Sequence, residues 1–111
     1  MGEAGARTRR IGFVTGLVLA LAIQLIPVPE GLDRPAWLLA SFAVLMASWW
    51  ATEAIPIAAT ALVPLAVFPG VGIISMREAA APYADPIVML LLGGFIVALA
   101  IERWNLHARI A

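Results

Sequence analysis

Residues 49–69 read WWATEAIPIAATALVPLAVFP, in which two long apolar runs are parted only by Thr52-Glu53 and then Pro56. So brief a junction between runs this apolar is how one membrane helix ends and the next begins with hardly any loop, and helices are what lipid demands of the backbone. The feature constrains the chain to a bilayer. Composition agrees: 63% of the 111 residues are hydrophobic, 13% are charged and the mean hydropathy is +0.99. A soluble domain of this length would leave much of that surface in water.

Seven basic and seven acidic residues cancel, and no basic stripe with interleaved aromatics exists, so no nucleic-acid partner is expected. Without cysteine there is no disulfide, thiolate metal site or thiol nucleophile. A single histidine, His107, gives neither a His pair for a metal nor a Ser-His-Asp set. No nucleotide loop or haem ligand set is present, so no cofactor and no enzyme activity are expected.

Four apolar runs predict an all-α integral membrane fold with helices over residues 11–27, 36–51, 54–68 and 87–101. The first follows Arg7, Arg9 and Arg10, which make residues 1–10 a basic, cytoplasmic amino terminus. Its about 17 residues reach roughly 25 Å, a little short of a hydrocarbon core of about 30 Å. A cleaved signal with Ala20-Leu21-Ala22 as its cleavage site is the alternative to a retained helix, and the apolar runs that follow favour the helix. The second run ends in Trp49-Trp50, rings suited to the membrane boundary. Thr52 is a natural N-cap for the third, with Glu53 in its first turn and Pro56 early enough to cost little hydrogen bonding. Pro64 interrupts that helix and frees a carbonyl that something other than lipid must satisfy.

Residues 75–85 form a polar connection with one helical turn near residues 76–81. Asp85 caps the fourth helix and Pro86 opens it; Gly93-Gly94 within it suits close helix packing. Residues 102–111, with Glu102, Arg103, Trp104, His107 and Arg109, read as the start of an interfacial helix that stops in mid-element. Five arginines at the two ends, against Arg34 and Arg77 in the odd-numbered connections, predict a multi-pass protein of the plasma (inner) membrane with both ends of the segment cytoplasmic.

Residues 49–73, WWATEAIPIAATALVPLAVFPGVGI, and then APYADPIVMLLLGGFIVALAIERWNLHARIA resemble the amino-terminal part of the divalent anion/sodium symporter family. The ordered set Trp-x-Thr-Glu-Ala-Ile-Pro, Pro-Leu-x-x-Phe-Pro, Gly-Gly-Phe and Arg-Trp-x-Leu-His carries the resemblance, over more than half of the chain. It implies a much longer protein built of two inverted repeats, in which a transport domain carries dicarboxylate, citrate or sulfate together with sodium against a dimerising scaffold. Family substrate and sodium sites lie beyond the matched region, so the resemblance gives this segment no ligand residue and no sodium site. Trp49, Trp50, Thr52, Glu53, Pro56, Pro64, Gly93 and Gly94 are carried over as structural residues of the scaffold. Its partners would be lipid, the remainder of the transporter chain and a second copy.

Each of these residues has a plainer and a sharper reading. Glu53 at a helix start beside Trp50 reads as a dipole-stabilised interfacial carboxylate before an ion carrier. Gly93-Gly94 reads as packing before a passage, His107 as a headgroup-facing side chain before a proton relay, and Trp49, Trp50 and Trp104 as anchors before a cation cage. Two other functions compete with a symporter scaffold that does not transport alone. A small four-helix exporter would carry its working glutamate in the first helix, where Gln24 is instead the most polar residue. An accessory or structural membrane subunit would co-purify with a larger partner.

Overall fold

The computed structural model describes residues 2–111, and the regular elements among them are helices: α1 (Glu3–Leu25), α2 (Arg34–Thr52), α3 (Ile57–Ala61), α4 (Val63–Val67), α5 (Met76–Ala80), α6 (Pro86–Arg103) and α7 (Leu106–Ile110). The chain divides into two compact units, one running to residue 79 and the other starting at residue 80. Three helices, α1, α2 and α6, are long and apolar enough to cross a membrane.

In the first unit, α1 and α2 pack as a hairpin. Helix α1 starts well before the apolar run. Glu3 lies in its first turn, where the helix dipole favours negative charge, and the Thr8 hydroxyl donates to the Ala4 carbonyl at 3.0 Å. Arg7, Arg9 and Arg10 therefore ride on a helix. The helix stops at Leu25 because Pro27 drives the residue before it out of the helical region, and Ile26 is extended at φ −81°, ψ 136°. Helix α2 opens with Asp33, whose Oδ1 accepts from the Ala36 N–H at 2.9 Å, and Pro35 stands in its first turn.

The junction after α2 differs from the expectation that Thr52 caps a following helix. Thr52 is the last residue of α2, and its hydroxyl donates back to the Ser48 carbonyl at 2.7 Å. The Ala54 N–H donates to the Trp49 carbonyl at 3.1 Å and the Glu53 N–H to the Trp50 carbonyl at 3.4 Å, a Schellman closure. Glu53 holds its left-handed position at φ 47°, ψ 40°, where glycine is usual. Pro56 disfavours a helical Ile55, so α3 cannot begin before residue 57.

The run expected as one helix over residues 54–68 is two five-residue helices with Leu62 between them. The cause is Pro64, which has no N–H to give to the Thr60 carbonyl. Helical turns resume at once: Ala66 N–H donates to the Leu62 carbonyl, Phe68 N–H to Pro64 and Val71 N–H to Val67, each at 3.1 Å. Phe68, 8% exposed, meets Phe42 of α2 with ring centroids 5.6 Å apart.

Before α5, Ser75 and Glu78 form a capping box. The Ser75 N–H and hydroxyl donate to Glu78 Oε2 at 2.9 and 2.7 Å, and the Glu78 N–H donates to Ser75 Oγ at 3.3 Å. Hydrogen bonds from the Ser75 side chain first and its backbone second hold the Glu78 carboxyl below the ordinary glutamate range. A lowered folded-state pKa means that this turn is steadied above the usual glutamate pKa and loosens as pH falls through the depressed value. A carbon-13 NMR titration is expected to find Glu78 protonating below the ordinary range and Ser75→Ala, which keeps the backbone N–H bond, moving it part of the way back; an unshifted parent would refute the box.

In the second unit, Asp85 Oδ1 accepts from the Ile87 N–H at 2.9 Å and Pro86 opens α6. No residue of α6 is buried. Residues 102–111 do not form a single helix. Glu102 and Arg103 complete α6, Asn105 turns the chain at φ 48°, and α7 follows. Asparagine is among the few residues that take this left-handed conformation readily.

Candidate functional site

The side-chain hydrogen bonds that join different helices among the described residues lie at the seam between α1 and α2. Gly12 and Gly16, four residues apart, lie on one face of α1 and are its two buried residues. A Cβ on Gly12 would overlap the Thr52 side chain, with Thr52 Cγ2 only 2.7 Å away. One on Gly16 would lie 2.9 Å from Cδ1 and Nε1 of Trp49 and 3.3 Å from Leu45 Cδ1. The two glycines let the backbones approach as small residues do in membrane helix pairs. Their four-residue spacing is the sequence signal for this contact.

Polar groups close the seam along its length. Trp49 Nε1 donates to the Phe13 carbonyl at 3.2 Å while its ring stacks on Phe13, centroids 4.9 Å apart and planes 8° from parallel. Trp37 Nε1 donates to the Ile23 carbonyl at 3.1 Å, and Gln24 Nε2 donates to Ser41 Oγ at 2.9 Å. Such interhelical bonds are worth about 0.6 kcal/mol each in a membrane, since the separated helices also find partners. Gln24 Oε1 and Thr60 Oγ1 are buried and find no hydrogen-bond partner among the described residues.

The candidate residues fall into separate places. Trp49 is buried at 9% exposure whereas Trp50 is 64% exposed, because consecutive helical residues point about 100° apart. Trp49 is thus a packed seam residue. Thr52 packs on Gly12, and Glu53 Oε2 lies 3.8 Å from Arg9 Nη2. With the two side chains 44% and 64% exposed, this ion pair contributes little to stability. Pro56 precedes α3, and Pro64 opens α4. Gly93 and Gly94 face open space in their own unit, with nothing within 4 Å of a Cβ built on either. Among the described residues no three His, Cys, Asp or Glu side chains come together as a metal site.

The seam joins the two helices through packing and hydrogen bonds, and a groove of about 340 Å³ beside it is lined by Thr8, Thr15, Ser48 and Thr52 among others. Residues 7–111 match the family described as the sodium:sulfate symporter transmembrane region. The chain belongs to this family. Within the symporter family, it is 42% identical over 101 residues to the sodium-dependent dicarboxylate transporter SdcS of Staphylococcus saprophyticus and equally to that of Staphylococcus aureus. The aligned part is 91% of this chain but only 20% and 19% of the two relatives, so this symporter-family chain spans about a fifth of their length. No solved structure matches. The family assignment and the apolar helices make the chain part of a multi-pass membrane protein.

Proposed function

We propose that this chain is the amino-terminal scaffold portion of a sodium-coupled anion transporter, with a dicarboxylate as the favoured cargo. The observation that carries the reading is the 42% identity spread over 91% of the chain to relatives named sodium-dependent dicarboxylate transporters. The hairpin chemistry supports it. An α1–α2 pair locked by glycine contacts, a ring stack and hydrogen bonds suits a stationary body against which a transport domain moves in alternating access. In this reading the segment lies in the plasma membrane, adjoins the rest of a transporter that works as a homodimer, and does not transport by itself.

A chimera tests it. Replacing the matching fifth of Staphylococcus aureus SdcS with the aligned 101 residues of this chain is expected to preserve sodium-dependent succinate uptake in vesicles, within about a factor of ten. The 111-residue chain alone is expected to give no uptake above protein-free vesicles. A folded but inactive chimera, or sodium-driven uptake by the chain alone, would sink the reading.

The scaffold reading also has the α3–α4 path cross the membrane as a broken helix, giving four crossings with both ends of the segment in the cytoplasm. The absence of cysteine makes this directly measurable. Single Glu3→Cys and Ala108→Cys variants in sealed cells are expected to be protected alike from a membrane-impermeant maleimide. Labelling of one and protection of the other would mean an odd number of crossings.

A further inference from the structure

The apolar part of α1, residues 11–25, is about 15 residues, and about 22 Å of helix is shorter than a hydrocarbon core of about 30 Å. A short span is accommodated by thinning of the bilayer and by flanking cations held among the headgroups. Arg9 and Arg10 immediately precede that span on the same helix, which in a bilayer would set both guanidiniums near the lipid phosphates. At that level a groove of about 330 Å³ is lined by Arg9, Arg10, Phe13, Val14 and Ala54. One end is cationic and the walls are apolar, with Phe13 38% and Val14 58% exposed.

The charges in the groove are unequal. Arg9 shares its charge with Glu53 at 3.8 Å, while Arg10 has no ion pair among the described residues. A guanidinium offers paired donors that fit phosphate oxygens, and a juxtamembrane arginine is worth about 1 kcal/mol towards an anionic lipid. We infer that this groove binds an anionic phospholipid, with Arg10 on the headgroup phosphate and an acyl chain along Phe13 and Val14. Glu53 weakens the site by competing for Arg9. The inference needs the chain to lie in a bilayer and needs nothing of sodium coupling.

The test is competition between equal amounts of phosphatidylglycerol and phosphatidylcholine for the full chain in mild detergent, with retained lipid counted by native mass spectrometry. Phosphatidylglycerol is expected to be preferred. Arg10→Gln should lower the preference about fivefold. Glu53→Gln should raise it by freeing Arg9, and Arg34→Gln, at the other end of the hairpin, should leave it unchanged. Inorganic phosphate should not displace the lipid, because the apolar walls require an acyl chain. Equal retention of both lipids by the parent, a fall with Glu53→Gln, an unchanged preference in an Arg10→Gln chain of normal helix content, a loss with Arg34→Gln equal to that with Arg10→Gln, or displacement by phosphate would each overturn the site. Since the readout is lipid retention, any of these results leaves the transporter reading standing.

Discussion

Gly12→Leu is expected to unseat α1 from α2, costing about 2–3 kcal/mol of hairpin stability. Even the first carbon of a new side chain meets Thr52, and part of what it meets is the Thr52 Cβ, which cannot rotate away. Relief requires the helices to move apart, which also stretches the neighbouring Gly16 to Trp49 contact and the Trp49 hydrogen bond to the Phe13 carbonyl. The matched controls are Gly5→Leu and Gly93→Leu, where nothing lies within 4 Å of the new Cβ. These should cost no more than the about 1 kcal/mol typical of an unremarkable substitution. A dodecyl sulfate titration followed by tryptophan fluorescence compares the three. Equal midpoints for Gly12→Leu and the two controls would mean that the seam does not hold the helices together.

The second large effect is expected at Trp49. Its removal forfeits the Phe13 stack, about 0.5–1.5 kcal/mol, and an interhelical hydrogen bond of about 0.6 kcal/mol. Soluble-protein values of about 3–5 kcal/mol for Trp→Ala include transfer out of water, a term largely missing between helices already in lipid. Trp49→Ala should therefore cost about 2 kcal/mol, allowing for some lost packing. Trp49→Phe keeps an aromatic stack and should recover most of this, while Trp50→Ala, at an exposed position, should cost less than about 0.5 kcal/mol. Equal costs at the two tryptophans, measured in the same titration, would mean that Trp49 adds nothing special to the seam.

The contrast between those neighbours explains what the sequence made legible. Hydropathy reports the surroundings of a whole segment, so the bilayer setting was evident from residues 49–69. It does not say which of two adjacent rings turns inward. Asp85 and Pro86 were readable because a cap and a first-turn proline act within one turn. Thr52 departs from the expected cap because its hydroxyl has two uses, capping forward or bonding back to Ser48, and the contact with Gly12 favours the second. The helical state of residues 3–10 was hidden for a related reason: polar residues leave the apolar run yet continue the helix. Pro64 was recognised as an interruption, but its consequence, two short helices in place of one, depends on bonds around Leu62.

The candidate support was the least legible part. Gly12 and Gly16 acquire meaning only once Thr52, Trp49 and Leu45 are brought opposite them, some thirty to forty residues later in the chain. Gly93-Gly94 looked the stronger packing signal, yet a packing motif needs a neighbouring helix, and the unit formed by α6 and α7 supplies none at those residues.

The hairpin also bears on how the protein is made. The glycines, the stacked rings, the Gln24 to Ser41 bond and the indole N–H bonds of Trp37 and Trp49 all lie within residues 12–52. The seam is chemically complete before the ribosome adds Pro56. A nascent chain can leave the translocon as a paired hairpin, so that Gln24 and Ser41 enter hydrocarbon already bonded to each other.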